Sequence, residues 1–235
     1  MKILAMDSSS LVASVAVLKD EVLLAEYTIN YKKTHSQTLL PMIDEVAGMI
    51  ELDLHTVDAI AVSKGPGSFT GLRIGSATAK GLGLALDRPI IAVPTLEAMA
   101  YNLWGSSALI VPIMDARRNQ VYTGIYRFAD GNMGTLKEQC AIAIGELFEE
   151  LNGRGEKAVF LGDGVPVFRD RIDEQLKIPH EFAPAHCSRQ RAAAVGALAF
   201  RYYERGIIET AAEHKPDYLR LSQAERERQE REAGR

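Results

Sequence analysis

Short apolar runs alternate along this chain with longer segments whose apolar positions repeat three and four residues apart. Apolar runs that end at polar turns predict strands, whereas the three-and-four spacing predicts helices. The predicted strands are residues 3–6, 11–18, 22–31, 57–62, 89–93, 109–114, 121–128 and 158–161. The predicted helices are residues 36–50, 68–86, 95–104, 144–151, 165–176 and 189–204. This alternation of strands and helices is typical of an α/β protein.

The pattern of the N-terminal strand recurs near the middle of the chain. Ala5-Met6-Asp7 aligns without gaps with Ile113-Met114-Asp115, and each triplet is followed by a polar turn and a second strand. Duplicated units of this kind build actin-like and ribonuclease-H-like chains, although a Met-Asp pair after a strand can also recur by chance. We therefore predict a duplicated, two-lobed α/β fold of the actin-like ATPase class.

The best candidate for a linker between the predicted lobes is Gly105-Ser106-Ser107. The first lobe would span residues 1–104 and the second residues 105–221. The last long predicted helix, at 189–204, is a candidate to pack back on the first lobe. Residues 222–235 are rich in Glu, Arg, Gln and Ala, which predicts a charged tail.

Composition places the chain among ordinary globular proteins and argues against some functions. The 235 residues are 47% hydrophobic and carry a net charge of −4, whereas a stand-alone nucleic-acid binder usually has a basic surface. Cys140 and Cys187 have no metal-like spacing, so two free thiols in a reducing cytosol are favoured over a single disulfide. The first apolar run stops at Asp7, which is too short for a signal peptide or a membrane span. We predict a cytoplasmic protein without membrane contact.

The most distinctive local motif is a glycine-rich loop between a predicted strand and a predicted helix, Gly65-Pro66-Gly67-Ser68-Phe69-Thr70-Gly71. Glycines there permit a sharp turn and close backbone approach, and a helix N-terminus attracts anions. A P-loop would continue with Lys and Ser or Thr, but Leu72-Arg73 follows. A dinucleotide site would need an acid after the next strand, which ends without one. A structural turn or an interface loop is therefore favoured.

The helix after this loop carries only two charges, Arg73 and Lys80, between residues 68 and 86. Its small residues fall four apart on one stripe, at Gly71, Gly75, Ala79 and Gly83. Glycine lowers helix stability by roughly 1 kcal/mol relative to alanine, so the stripe should meet a closely packed neighbour. That neighbour could be a protein partner or another element of the same chain, and the pattern leaves both open.

The polar turns that follow three of the predicted strands indicate a degenerate nucleotide site. Asp7, Ser9 and Asp115 stand where an actin-like ATPase would hold phosphate and Mg²⁺, but the glycines that wrap phosphates are absent. Gly162 and Gly164 fall where such folds contact adenosine, and an aspartate separates them. No histidine pair, H-E-x-x-H motif or G-x-S-x-G elbow supplies a metal site or a nucleophile. We therefore predict no catalytic residue, no metal and no cofactor, with weak nucleotide binding left open.

Several blocks of the chain together indicate a known family. The most specific block is the glycine loop extended through Leu72-Arg73-Ile74-Gly75. The other blocks are Ile3-Leu4-Ala5-Met6-Asp7-Ser8-Ser9, His35-Ser36, Leu39-Leu40-Pro41, Ala79-Lys80-Gly81, Asp115-Ala116-Arg117-Arg118, Val121-Tyr122 and Pro216-Asp217-Tyr218-Leu219-Arg220. These blocks span residues 3–220, nearly the whole chain, and in sequence and order they resemble the TsaB family of bacterial threonylcarbamoyladenosine biosynthesis subunits.

The resemblance implies a non-catalytic subunit that activates a paralogous transferase, which moves threonylcarbamoyl to N6 of adenosine 37 in tRNA. It implies pairing with that transferase, the later arrival of a small ATPase, contact with tRNA only through the complex, and a homodimer when alone. The transferase holds metal with an H-x-x-x-H pair, and here His35 is followed at the fourth position by Leu39. The implied partner surface is the two first-lobe helices, with Ser36, Leu40, Ile43, Ala47, Gly71, Gly75, Ala79 and Gly83 as the interface residues.

Two other functions remain as alternatives at the level of sequence. One is an ATP-dependent actin-fold enzyme of the small-molecule kinase type, which would use Asp7 and Asp115. The other is a metalloprotease, a label that the family has also carried. Tight binding and turnover of Mg-nucleotide would favour the kinase, and stoichiometric bound metal would favour the protease.

Overall fold

Strands and helices alternate through both halves of the chain. The computed structural model describes residues 1–20, 22–32 and 34–220, so the predicted tail at 222–235 lies outside the described residues. The elements of the first half are β1 Lys2–Asp7, β2 Val12–Lys19, β3 Val22–Asn30, α1 His35–Met49, β4 Ala59–Gly65, α2 Phe69–Leu86, β5 Ile90–Pro94 and α3 Thr95–Tyr101. Those of the second half are β6 Leu109–Asp115, β7 Gln120–Ala129, β8 Asn132–Ala143, α4 Ile144–Arg154, β9 Ala158–Leu161, α5 Val165–Gln175, β10 His180–Phe182 and α6 Ala192–Glu204.

The two five-stranded sheets have the same strand order. The first is ordered β3-β2-β1-β4-β5, and the second, read from its opposite edge, is β8-β7-β6-β9-β10. In each, the first strand pairs antiparallel with the second and parallel with the fourth. Asp7 ends β1 and Asp115 ends β6, so the two aspartates hold equivalent positions. The predicted duplicated α/β fold is confirmed.

Helices cover both faces of each sheet. In the first sheet, successive side chains of β1 pack against helices on opposite faces. Leu4 and Met6 of β1 pack against α1 and α2, whereas Ile3 and Ala5 pack against α6. This follows from the two-residue period of a strand, which sends successive side chains to opposite faces. In the second sheet, α4 and α5 cover one face and α3 covers the other. Each sheet therefore packs against one helix from the other half of the chain.

Two strands of the second sheet were missed by the hydrophobic pattern. β8 is a partly exposed edge strand with many polar residues, and β10 has only three residues. The connection from β7 to β8 does carry a sequence signal, the dipeptide Asp130-Gly131. Both residues have positive φ, 50° and 70°, as the two-residue hairpin turn that favours Asp-Gly requires.

The small-residue stripe of α2 faces inward. A Cβ atom added at Gly71 would overlap the carbonyl oxygen of Ser8, and one added at Gly75 would overlap the hydroxyl of Ser8. Ala79 is fully buried in the core of the first sheet, and Gly83 lies against Arg88 and Ala211. These four residues pack on their own chain, so their sequence-based placement on a partner surface is wrong.

The outward side of α2 carries a second run of small residues. Thr70, Arg73, Ala77, Gly81 and Leu84 are exposed, and a Cβ atom at Gly81 would meet nothing within 4 Å. The helix α2, which carries only two charges, thus presents one row of small residues to the core and another to the outside.

The residues predicted on α1 divide in a similar way. Ser36 and Leu40 are exposed, Ala47 is half-buried, and Ile43 is buried in the core. Of the eight predicted interface residues, only Ser36, Leu40 and Ala47 remain open to a partner.

The two kinds of glycine on α2 can be separated by alanine substitution. We expect Gly75→Ala to lower the free energy of unfolding by about 1–3 kcal/mol, because the added methyl forces Ser8 and the β1 turn to move. Gly81→Ala is the matched control on the outward side, and it should raise that free energy by about 0.5–1 kcal/mol. Urea unfolding of both variants measures the two values. Equal effects at the two positions would contradict the inward packing.

Candidate functional site

A cleft of about 630 Å³ lies where the ends of β1, β6 and β9 meet the N-terminus of α2. Both halves of the chain line it, together with a segment close to the end of the described residues. Its lining residues are Ser9, Ser10, Leu11, His35, Pro66, Gly67, Ser68, Phe69, Leu72, Met114, Asp115, Ala116, Arg117, Tyr122, Asp163, Asp217, Tyr218, Leu219 and Arg220. Asp7, a predicted site residue, is not among them.

Asp7 holds the turn after β1 together from the inside. Its Oδ1 accepts hydrogen bonds from the amide of Ser9 at 2.8 Å and the hydroxyl of Ser9 at 2.7 Å, and its Oδ2 accepts one from the hydroxyl of Ser63. Burial raises the pKa of this carboxyl, and these hydrogen bonds oppose the rise. Both carboxylate oxygens are used within the chain, so Asp7 acts as a structural group here.

The glycine loop is seated on this same turn. A Cβ atom at Gly67 would overlap the carbonyl oxygen of Ser9, and the amide of Ser68 donates to that oxygen at 2.6 Å. The hydroxyl of Ser8 donates to the carbonyl of Gly71 at 2.9 Å. The glycines of the loop are therefore explained by direct backbone contact with this turn, which requires no nucleotide-binding spacing.

The turn after β6 is stabilised by contacts between its own residues. The carboxylate of Asp115 accepts the amide of Arg117 at 2.8 Å and lies 3.2 Å from its guanidinium. Arg117, Arg118 and Asn119 all have positive φ, between 54° and 65°, which places three successive non-glycine residues in the left-handed region. The turn presents two exposed arginines, and both carboxylate oxygens of Asp115 have a partner in Arg117.

The turn after β9 is anchored on β6. Gly162 has φ of 109°, and a Cβ atom there would overlap the carbonyl oxygen of Ile113. The amide of Gly164 donates to that same carbonyl at 3.0 Å. Between them, Asp163 lines the cleft, and burial raises the pKa of its carboxyl to about 6. The structure thus accounts for both glycines through contacts with the neighbouring strand.

The C-terminal part of the described chain forms a strap, residues 209–220, that crosses from the first lobe to the second. It begins as a bridge between Glu209 and Ile90 and reaches the cleft at Asp217, whose amide donates to the carbonyl of Lys64 at 2.6 Å. Gln139 of β8 donates to the carboxylate of Asp217 at 3.1 Å, and Arg220 donates to the carbonyl of Ala116 at 2.5 Å. The strap was missed as an element because it has no helix or strand period.

The strap explains the first glycine of the motif. Gly65 has φ of 124°, and a Cβ atom there would overlap the carbonyl oxygen of Asp217. One residue further along the strap, the ring of Tyr218 lies 4.8 Å from that of Phe69, over which Arg73 stacks at 3.9 Å. The N-terminus of α2 is therefore covered by the strap and its aromatic contacts.

The described residues were also compared with the requirements of a metal cluster and of a membrane span. Residues 1–20, 22–32 and 34–220 contain no group of three or more His, Cys, Asp or Glu side chains placed to hold a metal ion. In the same part of the chain, no helix combines the length and the apolar character that a membrane span needs. Cys140 and Cys187 are both free thiols.

Two sheets of identical order, with aspartate turns at equivalent strand ends beside a shared cleft, define a two-lobed actin-like protein. YeaZ from Pseudomonas aeruginosa superposes with a TM-score of 0.77 at 28% identity, over 93% of this chain and 99% of that one. The ethanolamine utilization protein EutJ from Carboxydothermus hydrogenoformans shares the fold alone, with a TM-score of 0.50 at 11% identity, over 85% and 90% of the chains.

Sequence comparison gives the family. A family model described as TsaD, tRNA N6-adenosine threonylcarbamoyltransferase, matches residues 22–228. The Bacillus subtilis tRNA threonylcarbamoyladenosine biosynthesis protein TsaB is 35% identical over 227 residues, which are 96% of this chain and 96% of the relative. The Escherichia coli protein of the same name is 33% identical over 152 residues, 64% and 65% of the two chains. The chain belongs to the TsaB family, as its sequence motifs predicted.

Replacing Asp163 with asparagine tests the environment of its carboxyl. A carboxyl pKa raised from 3.8 to about 6 means that the folded protein holds the proton more tightly than the unfolded chain. Stability is therefore lost as the pH rises from about 4 through about 6, on the order of 1–3 kcal/mol. We expect Asp163→Asn to unfold at a higher temperature than the wild type at pH 8 and at the same temperature at pH 4. Thermal melts at both pH values measure this, and a variant less stable at pH 8 would contradict it.

Proposed function

We propose that this chain is a non-catalytic activating subunit of the complex that places threonylcarbamoyl on N6 of adenosine 37 in tRNA. Its relatives are named for biosynthesis of threonylcarbamoyladenosine, which supports the pathway. The accessory role rests on one observation above all. The turn after β1 has no glycine that could wrap a phosphate, and its Ser8 and Ser9 are hydrogen-bonded to the glycine loop instead. We infer that the chain works in the cytoplasm, where it meets tRNA only through the complex.

The partner surface that we propose is the outward side of α1 and α2, which pack side by side on the first sheet. Three large apolar side chains are exposed there, Leu40 at 56%, Met49 at 75% and Leu84 at 72%. Ala77 and Gly81 between them allow another backbone to approach closely. Exposed apolar groups around a smooth stripe are the features expected of a protein interface.

The proposed partner at this surface is the catalytic transferase paralogue. The family model that matches this chain is described as that transferase, which supports a shared fold. Because paralogues share a fold, a face that pairs with one can pair with a second copy of itself in the same arrangement. The same surface would therefore form a homodimer when the transferase is absent. We propose that the small ATPase of the complex joins after the pair has formed.

Pairing can be tested by adding bulk to the outward stripe. Gly81→Leu should keep the fold, because the position is open and leucine favours a helix. It should weaken binding to the transferase at least tenfold, because the helices can no longer approach closely. Gly153→Leu on α4 is the matched control, since Gly153 is also helical, exposed and free of close neighbours. Binding measured by calorimetry should be unchanged in the control, and full-strength binding by Gly81→Leu would place the interface elsewhere.

A second experiment separates an accessory subunit from an enzyme. The purified chain alone should not modify tRNA supplied with threonylcarbamoyl adenylate, and addition of the transferase and the ATPase should restore modification. The bound metal of the isolated chain is measured in the same preparation and should be below stoichiometric. Modification by the single chain would refute the proposal, and turnover of Mg-ATP with a small molecule would favour a kinase.

A further inference from the structure

Four arginines lie along one rim of the cleft: Arg73 on α2, Arg117 and Arg118 in the turn after β6, and Arg220 at the end of the strap. Arg117 and Arg220 line the cleft directly. Arg73 stacks on the ring of Phe69, another lining residue, and Arg118 follows Arg117 in the same turn. The four form one row, the arginine row, which crosses from the first lobe to the second.

The contacts that hold these arginines leave most of their donors for a ligand, since a guanidinium has five N–H groups. Arg73 uses Nε on the hydroxyl of Tyr218 at 3.3 Å, and Arg220 uses Nη1 on the carbonyl of Ala116 at 2.5 Å. Arg118 has no hydrogen bond or ion pair through its side chain within residues 1–20, 22–32 and 34–220. Both Arg73 and Arg118 are exposed, so solvent reaches the row.

The carboxylates at this rim are recessed, whereas the arginines face outward. The side chain of Arg117 is 86% exposed, but that of its partner Asp115 is only 16% exposed. Asp163 and Asp217 are half-buried, and Asp217 accepts a hydrogen bond from Gln139. A ligand that approaches from solvent therefore meets guanidinium groups first, although the whole chain carries a net charge of −4. Phosphate groups are the anions that such a fork of donors binds best.

Aromatic rings accompany the arginines. Tyr218 is 38% exposed, its ring lies 4.8 Å from that of Phe69, and Arg73 stacks on the other ring at 3.9 Å. Proteins that bind single-stranded nucleic acid combine these groups, because cations pair with phosphates and exposed rings stack on bases. The row also begins beside the proposed partner surface, since Arg73 lies on the same outward side of α2 as Ala77 and Gly81.

From this geometry we propose that the arginine row contacts the phosphate backbone of single-stranded RNA and that Tyr218 stacks on a base. The inference rests on the proposed function, because the complex supplies the RNA and most of the affinity for it. RNA that is held by the transferase would continue along the row from Arg73 to Arg118. The isolated chain should bind RNA only weakly, because four cations act against an acidic surface elsewhere.

The first test measures binding of labelled tRNA by the complex of this chain with the transferase. Arg118→Gln should weaken that binding about fivefold and lower its salt dependence by about one ion, because one phosphate contact is lost. The fold should be unchanged, since Arg118 has no partner to lose. Arg205→Gln is the matched control, because Arg205 is exposed after α6 and lies outside the cleft. Unchanged tRNA affinity in Arg118→Gln, or equal loss in the control, would overturn the proposal.

The same preparations separate an RNA contact from a protein contact. Pairing with the transferase, measured by calorimetry before tRNA is added, should be unchanged in Arg118→Gln. Weaker pairing in this variant would make the row part of a protein interface and overturn the proposal. A wild-type chain that does not pair at all would instead contradict the proposed function, so the two failures are distinguishable.

The aromatic part of the proposal is tested at Tyr218. Tyr218→Leu should weaken tRNA binding at least fivefold, because base stacking needs a ring, whereas Tyr218→Phe should bind as the wild type does. Both variants lose the hydroxyl that accepts from Arg73, so equal loss in both would refute stacking. In the isolated chain at low ionic strength, oligouridine should shift the guanidinium NMR signals of Arg118 and Arg220. A peptide nucleic acid of the same bases has no phosphates and should not shift them, and absence of a shift with oligouridine would overturn the proposal.

Discussion

The close approach of the glycine loop to the turn after β1 is the constraint on which the rest of the structure depends. Gly67 and Gly71 admit the carbonyl oxygens of Ser9 and Ser8, at distances that any side chain would prevent. This contact sets the depth at which α2 lies on the first sheet and places its N-terminus at the cleft. Gly65 extends the same constraint to the strap through Asp217. The turn, the helix and the strap are thus held together by backbone atoms in direct contact.

This packing changes what an actin-like cleft can do. The turn after β1 keeps its aspartate, but Asp7 points into the protein and its oxygens are taken by Ser9 and Ser63. The strap closes the cleft from the side of α2 and ties it to Ala116 of the second half. Because Asp7 is bound within the chain, it is not free to hold Mg²⁺, which supports the proposed accessory role over a kinase. On the outward side of α2, Arg73 joins these contacts through Phe69 and Tyr218, whereas Ala77, Gly81 and Leu84 stay exposed.

Some of this could be predicted from sequence because the signals are local. The alternation on β1 and the Met-Asp repeat give the α/β class and the duplication, since strand period and turn chemistry act over a few residues. The charge-poor character of α2 predicts that both of its sides are covered, and the structure shows the cover of the inner side. Which side meets the core could not be read from the stripe, because Ala77 and Gly81 form a second run of small residues. Only the position of Ser8 under Gly75 decides between the two.

The sequence by itself determined the family, the two-lobed fold and the lack of an ordinary nucleotide or metal motif, because each depends on residue types at short spacings. Tertiary structure alone decided that Gly71 and Gly75 are core residues, that Asp7 is structural, and that the strap enters the cleft. It also brought His35 and Asp163, 128 positions apart in the chain, to one cleft with an unpaired atom on each. The physical reason is that hydrogen-bond satisfaction and close packing depend on neighbours in space, which residue spacing along the chain does not specify.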